Sequence, residues 1–372
     1  MNPLRRKIER EIGEHGPIPF SRYMELCLYD DEFGYYSRNA EQFGKAGDFY
    51  TSSDVHAVFG RLMARQFNEM WRVLGSPSSV VIRELGPGRG LFAQDVLDWS
   101  EKKFSDFFHA LRYVLDERSP ALRQRIEHTL NRQFTCGKAG FPSSGESLST
   151  PEIVFANEFF DALPVEILSS QGSLRLELRE GRLAEIWVPP SPEELEFIDR
   201  YSIHPEPGEQ VEVSLPSLAS MNAAAELERG FVVVIDYGYT RDAQLAGRHR
   251  GTLKAIRQHS VSANPYEAPG EQDITADVNF TALAAAAEKR GMHAQRLVTQ
   301  SQFLMGIGEA NQFADAFEGC RLPQERAKVS LQLKHLVTPA GMGESFHVLV
   351  ASKGVEAERV AKLSGLSFGR RG

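Results

Sequence analysis

"VVIRELGPGRG", residues 80–90, carries an apolar run into an acid and then into three glycines at alternate positions. The run predicts a buried strand. Gly86, Gly88 and Gly90 predict a tight turn that a ligand approaches closely, since no Cβ occupies the space. A dinucleotide site favours G-x-G-x-x-G, with the pyrophosphate at a helix N-terminus. Here position 91 is leucine, and Glu84 stands two residues ahead of the first glycine. A carboxylate repels a pyrophosphate but suits a ligand with cationic groups and hydroxyls, such as S-adenosylmethionine. Glu84 is expected to meet the methionine ammonium, directly or through water. A nicotinamide dehydrogenase is correspondingly disfavoured.

Outward from this turn, strand and helix patterns alternate. "LFAQDVLDWSEKKF" has helical spacing, "HALRYVLDE" (109–117) reads as a second strand, and "SPALRQRIEHTL" reads as a helix with Ser119 as N-cap and Pro120 at N1. "EIVFANEFF", "GFVVVIDYGY" and "SFHVLVASKG" supply further apolar strands. Continuous apolar strands separated by helices predict a doubly wound α/β sheet, with ligands at the strands' carboxyl ends. A ribose-binding acid belongs at the end of the second strand, where Asp116 and Glu117 stand; Glu117, the later residue, is favoured. Residues 1–76 read as mainly helical, and residues 77–372 as the core, interrupted by insertions 166–230 and 239–280. The first of these holds a hairpin, "SLRLELREGRLAEIWVPP".

Composition narrows the function classes. With 42% hydrophobic and 25% charged residues, the 372-residue chain reads as an ordinary globular protein. A net charge of -8 argues against an extended nucleic-acid surface. Three scattered cysteines and ten scattered histidines show no metal-ligand spacing, so no metal is assigned, and a reducing compartment is expected. No run approaches the roughly 20 apolar residues needed to span a bilayer, so no membrane insertion is expected. Without a clear transit peptide, the chain reads as a bacterial cytoplasmic protein.

Several stretches together resemble the MidA-like methyltransferases, whose mitochondrial members are arginine methyltransferases needed for complex I assembly. They are "FSRYMELCLYDDEFGYYS", "FGKAGDFYTSSDVHAVFG", "ELGPGRG", "ANEFFDALPVE", "VIDYGY", "GTLKAIRQH", "PGEQDITADVNFTAL" and "MGESFHVLVASKG", in order along nearly the whole chain. The resemblance implies a class I, Rossmann-like methyltransferase fold with seven strands and a helical N-terminal cap, residues 1–76. It implies that "GDFYTSS" closes over the cofactor, with Gly47, Asp48 and Thr51 in contact. It also implies a protein acceptor, with the large core subunit of NADH–quinone oxidoreductase first, and a mitochondrial matrix location for eukaryotic relatives. The family's His-Pro is replaced here by Asp30-Asp31, and the Val before its ribose acid by Asp116.

Arginine is a hard methyl acceptor, because its guanidinium is always charged and its lone pairs are delocalised. Two carboxylates meet both difficulties: they grip the planar cation and localise its charge away from the attacking nitrogen. Glu158 and Asp161 of "ANEFFDALP" are the candidate pair; the plainer reading is that Asp161 caps a helix and Glu158 is a solvated acid. Asn157 is assigned to the cofactor, and with Phe160 it offers a looser match to amine-methylating loops. Asp236, Tyr237 and His259 are candidate acceptor contacts. The competing class of function is an assembly chaperone that keeps a cofactor-binding fold without transfer.

Overall fold

The apolar run at 80–85 forms an interior strand of a nine-stranded sheet. Seven of the strands lie on one path: β1 (Val80–Leu85), β2 (Leu111–Asp116), β3 (Ala139–Gly140), β4 (Glu152–Asn157), β5 (Gly230–Tyr239), β6 (His293–Ala294) and β7 (Phe346–Lys353). Their spatial order is β6-β7-β5-β4-β1-β2-β3. The five strands from β5 to β3 are parallel, while β7 runs antiparallel to β5, and β6 antiparallel to β7. Two-residue strands, Val278–Asn279 beside β5 and Val298–Thr299 beside β7, raise the count above the expected seven. The chain steps from β1 outward to β2 and β3, then returns to β4 on the other side of β1. That reversal opens a crevice at the carboxyl ends of β1 and β4.

The computed structural model describes residues 2–37, 57–142, 152–257, 260–262 and 264–368. The chain divides into two compact units, one of Met1–Tyr50, Phe159–Ala223 and Gly238–Ala286, the other of Thr51–Glu158, Ala224–Tyr237 and Ala287–Gly372. The second unit holds most of the large sheet. Its core is continuous because Val80, Ile82, Tyr113, Phe155, Val233 and Ile235 are buried together. Helices Ala57–Val73 and Leu91–Lys103 cover this face: Phe92 stacks on Phe155 at 4.6 Å, and Phe67 meets the same ring edge-on at 5.5 Å. Ser119 caps helix Pro120–Thr129 as expected, its Oγ accepting the Leu122 N–H at 3.3 Å. His109 and Ala110, expected to begin a strand, instead close helix Ser105–Ala110, whose last carbonyls receive the Leu111 N–H. The strand starts only at Leu111.

The first unit has its own core. Leu4, Ile8 and Ile12 of helix Pro3–His15 are buried with Phe20, Tyr23, Met24 and Cys27 of helix Phe20–Tyr29, and with Ile167, Leu174 and Ile274. Burial in this core pushes the Cys27 thiol up to about 12. The expected hairpin pairs Gly172–Arg179 with Arg182–Val188. Its two-residue turn, Glu180-Gly181, has φ of 52° and 72°, the left-handed pair that matches strand twist. These strands join Ile18–Pro19, Glu166–Ser169 and Gln210–Val213 in a five-stranded antiparallel sheet. Lys254–Arg257, Ser260–Ser262 and Asp273–Thr275 form a three-stranded sheet. Much of the stretches 166–230 and 239–280 therefore folds with the two N-terminal helices, whereas helix Ala57–Val73 belongs to the other unit. Among the described residues, no helix is long and apolar enough to cross a membrane.

Candidate cofactor and acceptor site

β1 ends in the glycine turn, where Gly86, Gly88 and Gly90 have φ of 63°, 54° and 76°. L-residues with side chains adopt that region at a cost, so the spacing of the glycines follows from the turn itself. The Gly86 N–H donates to the Asp116 carbonyl at 3.1 Å, fixing the turn to the end of β2. Gly90 forms the left-handed entry to helix Leu91–Lys103, and a Cβ there would lie 3.3 Å from Leu130 Cδ1. Gly90 thus serves the fold independently of any ligand.

Glu84 shares a face of β1 with Val80 and Ile82 and is only 4% exposed. Tyr113 Oη donates to Glu84 Oε2 at 2.9 Å. Burial pushes this carboxyl up to about 8, and the Tyr113 hydrogen bond only partly opposes the shift. Among the described residues no cation stands against Glu84. A carboxylate out of water costs several kcal/mol unless a positive group meets it. The ammonium of S-adenosylmethionine is such a group, so the residues present fit the cofactor.

Glu117 follows β2 directly. Its Oε1 accepts the Ser119 N–H at 2.7 Å, and burial raises its carboxyl against the pull of the Ser119 and Arg118 amides. Asp116 is half-buried, and its carbonyl is taken by Gly86. On the other side of β1, Asn157 ends β4 and donates through Nδ2 to Glu158 Oε1 at 3.1 Å. Its Oδ1 is buried and accepts no hydrogen bond among the described residues. A buried acceptor of this kind calls for a donor.

Glu158 has φ of +49°, rare for a residue with a side chain, and its N–H donates to the Ile235 carbonyl at 3.0 Å. Such a conformation stores strain, and strain of this kind gathers at functional sites. Asp236 is fully buried in β5, with Oδ1 accepting the Tyr237 N–H at 2.9 Å. The Tyr237 ring meets Phe346 edge-on at 5.5 Å. Glu84, the glycine turn, Glu117, Asn157, Glu158, Asp236 and Tyr237 all occupy carboxyl ends of neighbouring parallel strands in the second unit.

Asp161 belongs to the first unit. Residues 158–163 form bends and a turn, not a helix, so Asp161 caps none. It is buried, and its carbonyl accepts the Ala276 N–H at 3.0 Å. In the same unit Tyr36 Oη donates to Asp273 Oδ1 at 3.0 Å, and Tyr36 stacks on Tyr29 at 5.6 Å. Burial first, then Asp273, Tyr29 and Asp161, push the Tyr36 hydroxyl well up. Tyr36 and Asp273 lie in "FGYYS" and "PGEQDIT", among the stretches that resemble the MidA-like methyltransferases. Gly47, Asp48, Thr51 and His259 lie outside the described residues.

A family model described as S-adenosyl-L-methionine-dependent methyltransferase matches residues 62–298. The chain is 32% identical to the mitochondrial protein arginine methyltransferase NDUFAF7 homolog of Drosophila melanogaster, over 98% of this chain and 88% of that protein. It is 27% identical to the Danio rerio protein arginine methyltransferase NDUFAF7, over 93% and 87% respectively. A Burkholderia thailandensis crystal structure bound to S-adenosyl-homocysteine has a TM-score of 0.80 at 25% identity, covering 96% of this chain and 94% of that one. The matched span contains the turn, Glu84, Tyr113, Glu117 and the mouth of β4. By these matches and by its own site, the chain belongs to the S-adenosyl-L-methionine-dependent methyltransferases.

Proposed function

We propose that the chain is a class I protein arginine N-methyltransferase whose acceptor is a large core subunit of a complex I type quinone oxidoreductase. The strand order β6-β7-β5-β4-β1-β2-β3, with β7 antiparallel, supports the class I reading. The arginine acceptor is carried by the relatives' activity. The observation that carries the cofactor end is the buried Glu84 carboxyl beside the glycine turn, which no cation among the described residues meets.

In this reading Glu84 holds the cofactor's ammonium and Glu117 its ribose hydroxyls. Gly86, Gly88 and Gly90 admit it to the backbone. Asn157 Oδ1 accepts one of its donors. When bound, S-adenosylmethionine supplies an electrophilic sulfonium methyl. Glu158 accepts guanidinium N–H groups and holds one nitrogen in line for attack, a gain that comes mainly from alignment. Asp236 and Tyr237 border the acceptor.

The test is radiolabelled methyl transfer to the purified core subunit, followed by mass spectrometry of the modified residue. Wild-type protein is expected to label arginine. Glu158→Gln is expected to lose at least about 100-fold in transfer, because an interaction made to the reacting group is removed. Its affinity for S-adenosyl-homocysteine should stay within about three-fold of wild type. Cofactor binding without transfer by the wild type would favour the chaperone reading instead. Undiminished activity in Glu158→Gln would remove the guanidinium clamp.

A further inference from the structure

Tyr113 belongs to no motif, and nothing in the transfer chemistry calls for it. It nonetheless places its hydroxyl 2.9 Å from Glu84 Oε2, with both side chains buried in the core of the second unit. In register, Glu84 lies opposite Leu115 of β2 and Phe155 of β4, so Tyr113 reaches it diagonally from the neighbouring strand. The elements over this face carry other charges, each engaged elsewhere. Arg61 lies over the Trp99 ring at 4.7 Å, Arg65 pairs with Asp315, and Glu69 accepts the Ser364 N–H at 2.9 Å. Asp98 accepts from Gln133 at 2.7 Å, and Asp95 responds first to burial, then to Arg61 and Asp98. None of them acts on Glu84, for which only burial and Tyr113 count.

We infer that Tyr113 is a positioning residue for the cofactor's amino-acid end, its hydroxyl aiming the Glu84 carboxylate at the ammonium while cofactor binding expels one proton from Glu84 to solvent. The inference rests on the cofactor reading of Glu84. The balance is simple: a neutral carboxylic acid and an ammonium cation become a buried ion pair, and the buffer takes one proton. Because burial raises the free carboxyl to about 8, the expulsion operates through neutral pH. Tyr113 donates to the ionised form and so lowers the resistance to that loss. Without it, the ionised form is harder to reach and its direction is less fixed.

Calorimetry with S-adenosyl-homocysteine, which has the ammonium but no transferable methyl, tests this on the full chain. In two buffers of different ionisation enthalpy at pH 6.5, wild type is expected to release close to one proton per ligand, and its affinity to rise up to about ten-fold per unit between pH 6 and 7.5. Tyr113→Phe is expected to bind about ten-fold more weakly at pH 7, the deficit shrinking toward about two-fold at pH 9. The ligand's own amine titration is common to both proteins and cancels in that ratio. Asp95, raised to about 7, titrates in the same window, so Glu84→Gln is the control: its binding should be weak and release no proton. Wild-type binding without proton release overturns the inference, and that measurement needs no variant. A Tyr113→Phe deficit equal at every pH overturns the positioning role, leaving a purely structural one. No binding by wild type at all would instead sink the cofactor reading.

Discussion

Glu84 is a buried acid, and on the proposed reading it also serves as the group that meets the cofactor's ammonium, two demands that oppose each other. Its ordinary value of 4.5 is raised to about 8 in the fold. A raised acid favours folding while it keeps its proton, so this stability is complete below about 4.5 and is lost as pH climbs through about 8. The cofactor-free protein should therefore lose up to about 1 kcal/mol per pH unit from this group across neutral pH. Glu84→Gln should flatten that decline, as urea denaturation at pH 5.5 and 8 would check; an equally steep decline in the variant would refute the assignment. The position of Glu84 was legible because an acid two residues before alternating glycines is a pattern with a chemical reason. Tyr113 was not, since a tyrosine inside an apolar strand reads as core until the register sets it beside an acid. Glu158 was legible as a residue, but its left-handed backbone was not, because nothing local demands a φ of +49° there.

At the scale of elements, local rules carried furthest where a cap or turn residue stood at its required place. Ser119 with Pro120 gave the start of helix Pro120–Thr129, and Glu180-Gly181 sits where the hairpin reverses. Ser119→Ala should cost about 1 kcal/mol by removing the acceptor for the Leu122 N–H. Amide exchange would show the loss concentrated in residues 120–124, and unchanged protection there would mean the cap is idle. The same substitution also tests Glu117, since the N–H that Glu117 accepts is the backbone of residue 119 and survives the change. The strand boundary at Leu111 was missed by two residues because Leu111 closes the preceding helix with its N–H while its side chain enters the apolar pattern of β2. Periodicity sees only the side chains.

Across the whole molecule, the alternation of strands and helices announced the large sheet, but not the company kept by the remaining segments. The pairing of Ile18–Pro19 with Leu176 and Arg175 joins residues more than 150 positions apart, and no periodic signal encodes such a choice. The same is true of Leu4 and Ile8, amphipathic in sequence yet silent about which core receives them. Each unit closes around its own apolar cluster, one containing Cys27 and the other Trp71 and Trp99.

That distribution makes the chain its own reporter. Cys136 is exposed and Cys320 partly so, and an alkylating reagent should consume both within the mixing phase of the native protein. Cys27, buried and with its thiol held up to about 12, can react only after the helices Pro3–His15 and Phe20–Tyr29 part. The rate at which a third alkyl group appears therefore times that opening, while in a Trp187→Phe background, which removes the tryptophan packed on the Cys27 core, quenching of Trp71 and Trp99 emission follows the other core. If S-adenosyl-homocysteine slows the tryptophan signal but leaves the third alkylation unchanged, the two cores loosen independently.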